Sequence, residues 1–233
     1  MFEQVHFRVA SVVFIITFIL LSLFTLFNVY REQERAEAEL LRKGEMLAFT
    51  GAATLSRLLE NTIESGQKTP EEIFDTQYTL IKNSDPPRFH TRYDAFLDRE
   101  IQDILDGFQR DDEVVFAVLT DRNAYIPTHN TNFEHRSKRI FDDEVGLAAA
   151  QNMDSFFKQV YYRDTGEKMW DISYPVFVHG EHWGAFRIGF SMEMISQKKW
   201  VIFLETIISM AIITLIIGLS TYFIARKAIS PLA

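Results

Sequence analysis

The sequence predicts an α+β domain, with long N-terminal helices and an antiparallel sheet, flanked by two transmembrane helices. Two uncharged runs of membrane-spanning length, 9–29 and 206–225, lie near the ends of the 233-residue chain. Between them, helical periodicity is followed by a dense pattern of β-type residues over 112–190. We therefore divide the chain into four parts. They are a tail with the first transmembrane helix (1–30), a central domain (31–199), a second transmembrane helix (200–225) and a C-terminal segment (226–233).

Composition excludes several classes of function. The central domain holds 21 Lys and Arg against 30 Asp and Glu, a net charge of −9, which disfavours nucleic acid as a partner. The chain has no cysteine, so disulfides, thiolate zinc sites and covalently attached haem are excluded. No phosphate loop, nucleophile elbow or cysteine nucleophile is present in the sequence, and we do not expect an enzyme.

The first apolar run has the features of an uncleaved membrane anchor. It lies between Arg8 and Arg31 and offers no small-x-small cleavage site. The second run has Trp200 and Tyr222 at the positions of interfacial anchors. Basic residues flank both runs almost equally, so charge does not determine the topology. Because a long acidic loop is translocated whatever its charge, we expect a short inner N-terminus and a central domain outside the cytoplasm.

Helical periodicity continues from the first run through 31–64. Small and apolar residues recur there at heptad spacing: Leu41, Gly44, Ala48, Gly51, Leu55, Leu58 and Thr62. This stripe is compatible with packing inside one subunit or with a seam between two subunits. We favour a homodimer, because the helix leaves the membrane directly.

The next elements are predicted from caps and periodicity. Thr69 to Glu72 form a capping box with proline at the first helical position, which predicts a helix over 70–81. Apolar residues at three- and four-residue steps predict one helix from Thr91 to about 108. A strand follows from Glu113, and a short helix covers 142–152.

The C-terminal part of the central domain reads as strands and turns. Strands are predicted over 155–163, 168–178 and 183–191, with a turn over 164–167. The last two strands form a hairpin in which Gly180 supplies a positive φ. Four or five antiparallel strands behind a long helix are the expected architecture.

Several separated blocks then resemble the extracytoplasmic Cache/PAS-like domain of bacterial methyl-accepting chemotaxis proteins. The blocks agree in order and spacing over 89–190: FHTRYD (89–94), AVLTDRNAYIPTHN (117–130), RSKRIFDD (136–143), GLAAA (146–150), YRDTG (162–166), PVFV (175–178) and HWG (182–184). Residues 226–232 similarly resemble the start of a HAMP domain. Ala124 stands where this family usually has glycine, and a positive φ there would strain alanine by about 1 kcal/mol.

The resemblance implies a sensor that binds a small molecule outside the cytoplasm and signals through the second transmembrane helix to HAMP. It also implies a two-pass protein of the bacterial inner membrane and a homodimer through the N-terminal helix and HAMP. A membrane histidine kinase or cyclase with the same sensor, or a periplasmic protein-interaction module, remain alternatives. Relatives with covalent haem use a CxxCH motif, which this chain lacks.

The resemblance places a ligand pocket over the sheet, closed by the segment after residue 130. A ligand would be buried by aromatic walls, and fixed charges would select its ends. Arginine or lysine would hold a carboxylate and Asp171 an ammonium group. For the basic residues of 136–139, a solvated loop that binds no ligand is as good an interpretation as an anion site. The candidates are Tyr125, His129, Asn130, Arg136, Lys138, Arg139, Tyr162, Trp170, Asp171 and Arg187. We expect no metal and no cofactor; non-covalent haem at a histidine is the remaining option.

Overall fold

The computed structural model describes residues 2–163 and 166–229 of the chain. These residues form two compact units. One unit contains the two chain ends, up to Glu39 and from Ile195 onward, and the other runs from Leu40 to Met194. The second unit holds all of the strands. It lies within the predicted central domain.

Helices and strands occur in the predicted α+β arrangement. The helices are α1 (Phe2–Glu64), α2 (Pro70–Ile73), α3 (Asp94–Glu100), α4 (Gln102–Phe108), α5 (Glu144–Gln151), α6 (Met192–Ile229) and a 3₁₀ helix (Thr131–Arg136). The strands are β1 (Thr79–Leu80), β2 (Phe89–His90), β3 (Val114–Asp121), β4 (Tyr125–Ile126), β5 (Arg139–Ile140), β6 (Phe157–Tyr162), β7 (Lys168–Val178) and β8 (Glu181–Ser191). The fold class predicted from the sequence is confirmed.

The main sheet has four strands in the order β3-β8-β7-β6, and every neighbouring pair is antiparallel. Two further sheets, β1-β2 and β4-β5, have two short strands each. Because successive side chains of a strand point to opposite faces, Phe186 and Arg187 on β8 serve different sides of the sheet. Phe186 meets α1, while Arg187 lines a cavity on the other side.

The stripe of small residues on α1 packs against the sheet of its own chain. A Cβ atom added to Gly44 would lie 2.3 Å from Ile172 Cδ1, and one added to Gly51 would lie 2.2 Å from Phe186 Cε1. Leu55, on the same stripe, has no exposed surface. Our assignment of this stripe to a seam between two subunits is therefore wrong. Because glycine has no Cβ, the helix backbone lies close enough to the sheet to cover the side chains of Ile172 and Phe186.

The capping box is confirmed, but the helix that it starts is short. Thr69 Oγ1 accepts from the Glu72 amide at 3.3 Å, and Glu72 Oε2 accepts from the Thr69 amide at 2.9 Å. The predicted helix over 70–81 ends at Ile73. There the Ile73 carbonyl accepts a hydrogen bond from Trp183 Nε1 at 2.8 Å, and the chain continues to β1. A tertiary contact therefore overrides the local helical signal.

The predicted single helix from Thr91 is two helices. The chain departs from helical geometry at Ile101, where φ is −110°, and this residue separates α3 from α4. The predicted buried face is confirmed, since Tyr93, Leu97 and Leu105 are buried. Helical hydrogen bonds of 2.9 Å continue on both sides of the break, from the Ile101 amide to the Leu97 carbonyl and from the Leu105 amide to the Ile101 carbonyl.

Two turns have the backbone geometry that the sequence indicated. Gly180 has a φ of 81° in the hairpin between β7 and β8, as predicted. Ala124 has a φ of 62°, so alanine occupies a left-handed position that glycine tolerates better. Of the predicted turn over 164–167, Asp164 and Thr165 lie outside the described residues.

Within the described residues, α1 and α6 are long and apolar enough to cross a membrane. Their apolar side chains are exposed, as Leu20 (61%) and Leu215 (62%) illustrate, which is the arrangement expected for helices that face lipid. Lys199 in α6 forms an ion pair with Glu37 in α1. Of the predicted HAMP segment, residues 230–233 lie outside the described residues.

Candidate ligand-binding site

A cavity of about 480 Å³ lies on the side of the main sheet opposite α1. Strands β3, β6 and β8, the 3₁₀ helix, β5 and the start of α5 all contribute to its wall. The lining residues are Phe116, Val118, Ile126, His129, Arg136, Arg139, Phe141, Asp143, Glu144, Val145, Gly146, Tyr161, Tyr162, Arg163 and Arg187. Its size and its mixture of aromatic and charged residues are typical of small-molecule sites.

Four arginines line the cavity from separate elements. Arg187 lies within β8, Arg163 follows the end of β6, Arg136 ends the 3₁₀ helix and Arg139 begins β5. The central domain as a whole has a net charge of −9, so this cluster of positive charge is a property of the cavity wall and not of the whole domain. It is produced by the fold, which brings three separated parts of the sequence, 136–139, 163 and 187, to one wall.

Arg187 is fixed by a buried ion pair. Its Nη2 and Nε atoms donate to Asp171 Oδ2 at 2.6 and 3.1 Å, and Gln159 Nε2 donates to the same oxygen at 2.9 Å. Burial alone would lower the pKa of Arg187, but the Asp171 carboxylate raises it above its ordinary value. The guanidinium is therefore permanently charged and rigid at the floor of the cavity.

The other three arginines stack on phenylalanine rings. The guanidinium carbons of Arg136 and Arg139 each lie 4.9 Å from the centre of the Phe141 ring. That of Arg163 lies 4.8 Å from the Phe133 ring, and its Nη1 lies 3.3 Å from Glu167 Oε2. Each of these guanidinium groups is therefore within the range of a cation–π interaction with an aromatic ring.

His129 is the most unusual polar group of the wall. It is 3% exposed, and among the described residues its Nδ1 has no hydrogen-bond partner. Its ring lies 5.3 Å from Phe133 and 6.1 Å from Phe116. Burial lowers the pKa of His129 well below its ordinary value, and the neighbouring arginines lower it further. The imidazole is therefore neutral at pH 7, with one donor and one acceptor nitrogen.

Two tyrosines and two carboxylates complete the wall. Burial raises the pKa of Tyr161 to about 12, with a further contribution from Asp171, so this phenol remains a hydrogen-bond donor at neutral pH. Asp143 caps α5, accepting a hydrogen bond from the Gly146 amide at 2.7 Å. Asp143 and Glu144 are exposed, whereas Arg187 and His129 are buried. Negative charge thus lies at the outside of the cavity and positive charge at its inside.

Five of the ten residues predicted for the site line this cavity: His129, Arg136, Arg139, Tyr162 and Arg187. The other five lie elsewhere in the fold. Asn130 is buried, and its side chain accepts from the Ala117 amide and donates to the Leu105 carbonyl, both at 2.7 Å. Lys138 forms an ion pair with Asp98. For both residues the structure corrects the prediction, since their polar groups hold the fold together.

Three more predicted residues are also corrected. The Tyr125 hydroxyl donates to Asp94 and Phe89 away from the cavity. Trp170 and Asp171 are neighbours on β7, so they point to opposite faces of the sheet, and Trp170 faces away from the cavity. Asp171 is on the cavity side but is completely buried beneath Arg187. Its carboxylate pairs with Arg187 and holds that guanidinium in place.

Residues 161 and 163 were missed, although the sequence contained a signal for them. Strand alternation places Tyr161 and Arg163 on the same face, and the prediction chose the residue between them. Phe141 was not among the candidates, and the guanidinium carbons of Arg136 and Arg139 each lie 4.9 Å from the centre of its ring. The start of α5 could not have been found from sequence, because its approach to the cavity depends on Gly146. A Cβ there would lie 1.8 Å from the Phe141 carbonyl oxygen.

No sequence family matches this chain, and no curated protein is similar to it in sequence. Solved structures are similar to it. The sensor domain of DcuS from E. coli has 16% identity and a TM-score of 0.37, with 65% of this chain and 96% of that chain covered. The ligand-binding domain of the Campylobacter jejuni chemoreceptor Tlp3 in complex with L-valine has 11% identity and a TM-score of 0.38, with 72% and 66% covered.

A third similar structure is the sensor domain of the V. cholerae histidine kinase DctB. It has 14% identity and a TM-score of 0.40, with 75% of this chain and 59% of that chain covered. The chain therefore spans less than two thirds of the length of some of these structures. The three are sensor or ligand-binding domains, one of them from a chemoreceptor and one from a histidine kinase.

Proposed function

We propose that this chain is the sensor portion of a transmembrane receptor and that the cavity binds its small-molecule signal. The observation that carries the proposal is the cavity itself, built from rigidly held charges on a sheet whose last strand continues into an apolar helix. Arg187 lies on β8, β8 ends at Ser191, and α6 begins at Met192. No loop separates the strand that contacts the ligand from the helix that leaves the domain.

The proposed signal is a shift between two packings of the domain. A ligand that contacts Arg187 more favourably in one packing would stabilise that packing, and β8 would transmit the change to α6 along the chain. A coupling of about 1 to 3 kcal/mol, the usual range for allosteric proteins, is sufficient. We place the protein in a bacterial inner membrane, with the cavity outside the cytoplasm and a HAMP domain after residue 225. The exposed apolar side of α1 at Met46 and Phe49 supports a dimer of two such chains.

A thermal-shift screen of the full chain in detergent micelles tests the proposal. The library contains amino acids, carboxylates, amines, purines and inorganic phosphate. A ligand at 100 times its Kd stabilises the folded state by about 2.7 kcal/mol. In a domain of this size that raises the unfolding midpoint by about 5 to 10 °C. If every compound leaves the midpoint unchanged, a small-molecule sensor is refuted, and docking of a protein partner replaces it.

A pair of adjacent residues provides the control for the site. Arg139→Gln removes a charge from the cavity wall, and Lys138→Gln removes one from the next residue, whose ammonium pairs with Asp98 outside the cavity. The shift caused by a genuine ligand should fall in the first variant and persist in the second. Equal effects in both variants would assign the binding to another surface.

A further inference from the structure

The chemistry of the cavity wall selects one class of ligand, a conclusion that rests on the proposed function. We infer that the ligand is an oxyanion, a small molecule whose carboxylate or phosphate group lies at the inner wall between His129, Arg163 and Arg187. Three features of the cavity wall favour an oxyanion: the arrangement of charge, the geometry of the guanidinium groups and the unpartnered Nδ1 of His129.

Charge is arranged so that an anionic group is favoured inside and disfavoured outside. Arg187 is 5% exposed and Arg163 is 8% exposed, while the two lining carboxylates, on Asp143 and Glu144, are exposed. Among the described residues, Asp171 is the only carboxylate that forms an ion pair with Arg187. It is completely buried and does not line the cavity. A ligand entering the cavity therefore meets guanidinium groups and not the carboxylate that balances them.

The guanidinium groups are held with donors to spare. Arg187 uses Nε and Nη2 for Asp171, and Nη1 has no hydrogen bond among the described residues. Arg163 uses Nη1 for Glu167, at a long 3.3 Å, and its face for Phe133. The remaining N–H groups lie in the guanidinium planes, which is the geometry that pairs with carboxylate and phosphate oxygens.

His129 supplies the observation that is independent of the arginines. A buried ring nitrogen without a partner costs about 1 to 3 kcal/mol, and such groups in native proteins usually have a missing partner. In the tautomer that carries its proton on Nδ1, the neutral imidazole donates this missing hydrogen bond to an oxygen of the ligand. A cation at the same place would lie beside two guanidinium groups.

Isosteric probes of different charge test the inference by calorimetric titration and thermal shift of the full chain in detergent micelles. Benzoate, benzamide and benzamidinium share one planar shape and carry a negative, zero and positive charge, and acetate and glutarate extend the carboxylate set. Inorganic phosphate forms the second arm. We expect at least one oxyanion to bind, with its neutral counterpart at least about tenfold weaker, which corresponds to one charge-assisted hydrogen bond.

The preferred arm identifies the source of the oxyanion. Binding of a carboxylate probe assigns a carboxylic acid, and binding of phosphate alone assigns a phosphorylated ligand. In either case Arg163→Gln, which removes one of the proposed guanidinium contacts, should weaken binding by about tenfold, while Lys138→Gln leaves it unchanged. His129→Asn, which keeps a donor but moves it, should weaken oxyanion binding without changing the charge of the site.

The outcomes separate this inference from the proposed function. If amines or neutral compounds from the wider library bind and oxyanions do not, the oxyanion is refuted while the sensor stands. If nothing in either set binds, both are refuted. Oxyanion binding that is equally weakened by Lys138→Gln would also overturn the inference, because it would show a general response to net charge.

Discussion

Replacing Gly51 by alanine should destabilise the domain, because the added methyl group has no space. Its Cβ would lie 2.2, 2.4 and 2.5 Å from three carbons of the Phe186 ring. Ordinary contacts between carbon atoms are 3.5 Å or more. The ring cannot move away, since it has no exposed surface and packs on Phe108 with a centroid distance of 5.0 Å. Helix α1 would have to shift by about 1 Å.

The size of the effect follows from two opposing contributions. Overpacking a core in this way costs about 1 to 3 kcal/mol. Alanine in a helix interior is favoured over glycine by about 1 kcal/mol, which offsets part of that cost. We expect a net destabilisation of up to about 2 kcal/mol. Gly107→Ala provides the matched control, because Gly107 lies in α4 and a Cβ there meets nothing within 4 Å. It should stabilise the domain by up to about 1 kcal/mol.

Thermal unfolding of the full chain in detergent, followed by tryptophan fluorescence, measures both variants. Each kcal/mol corresponds to about 2 to 4 °C for a domain of this size. The two variants should therefore shift the midpoint in opposite directions. If Gly51→Ala raises the midpoint as Gly107→Ala does, the packing of α1 on the sheet is wrong. If it instead dissociates a dimer without changing unfolding at fixed concentration, the seam between subunits is reinstated.

Three further predictions concern the site and its frame. Asn130→Ala should cost about 2 to 4 kcal/mol in urea unfolding, because two buried backbone groups lose their partners, whereas exposed Asn132→Ala should cost less than about 0.5 kcal/mol. Burial lowers the pKa of His129 below its unfolded value, so protons favour the unfolded state. In the absence of ligand, the contribution of His129 to the free energy of unfolding should be fully present above about pH 6.5 and should be lost as the pH is lowered below it. His129→Gln should remove this slope, and a slope that persists would assign it to other groups. Ala124→Val should destabilise the domain by about 2 kcal/mol, because a β-branched residue is strained at a φ of 62°, while Ala124→Gly should remain within about 0.5 kcal/mol of the parent; equal midpoints in thermal unfolding would contradict the left-handed turn.

The sequence predicted elements well where the signal is local or periodic. The two apolar runs, the long helix after the first of them and the hairpin at Gly180 need only composition, helical spacing and a turn residue. The capping box at Thr69 was also correct, because it depends on residues three apart. The length of α2 was not, since the carbonyl of Ile73 is held by Trp183, which lies far away in sequence.

The binding residues divide in the same way. Composition and the resemblance predicted that the basic residues of 136–139 and Arg187 belong to the site, because basic side chains in an acidic domain can be recognised from the sequence alone. Which of them face the cavity depends on strand register and helix position. Arg139 lines it and Lys138, the next residue, pairs with Asp98 instead.

The sequence by itself determined that the chain has two lipid-compatible helices around an acidic α+β domain, because those properties are sums over local residues. Only the tertiary structure decided that four arginines share one wall, that Asp171 supports Arg187 and that Nδ1 of buried His129 has no hydrogen-bond partner among the described residues. Each of these facts depends on contacts between residues from separate elements. Such contacts are set by the packing of the sheet against its neighbours, and no pattern within a single segment encodes them.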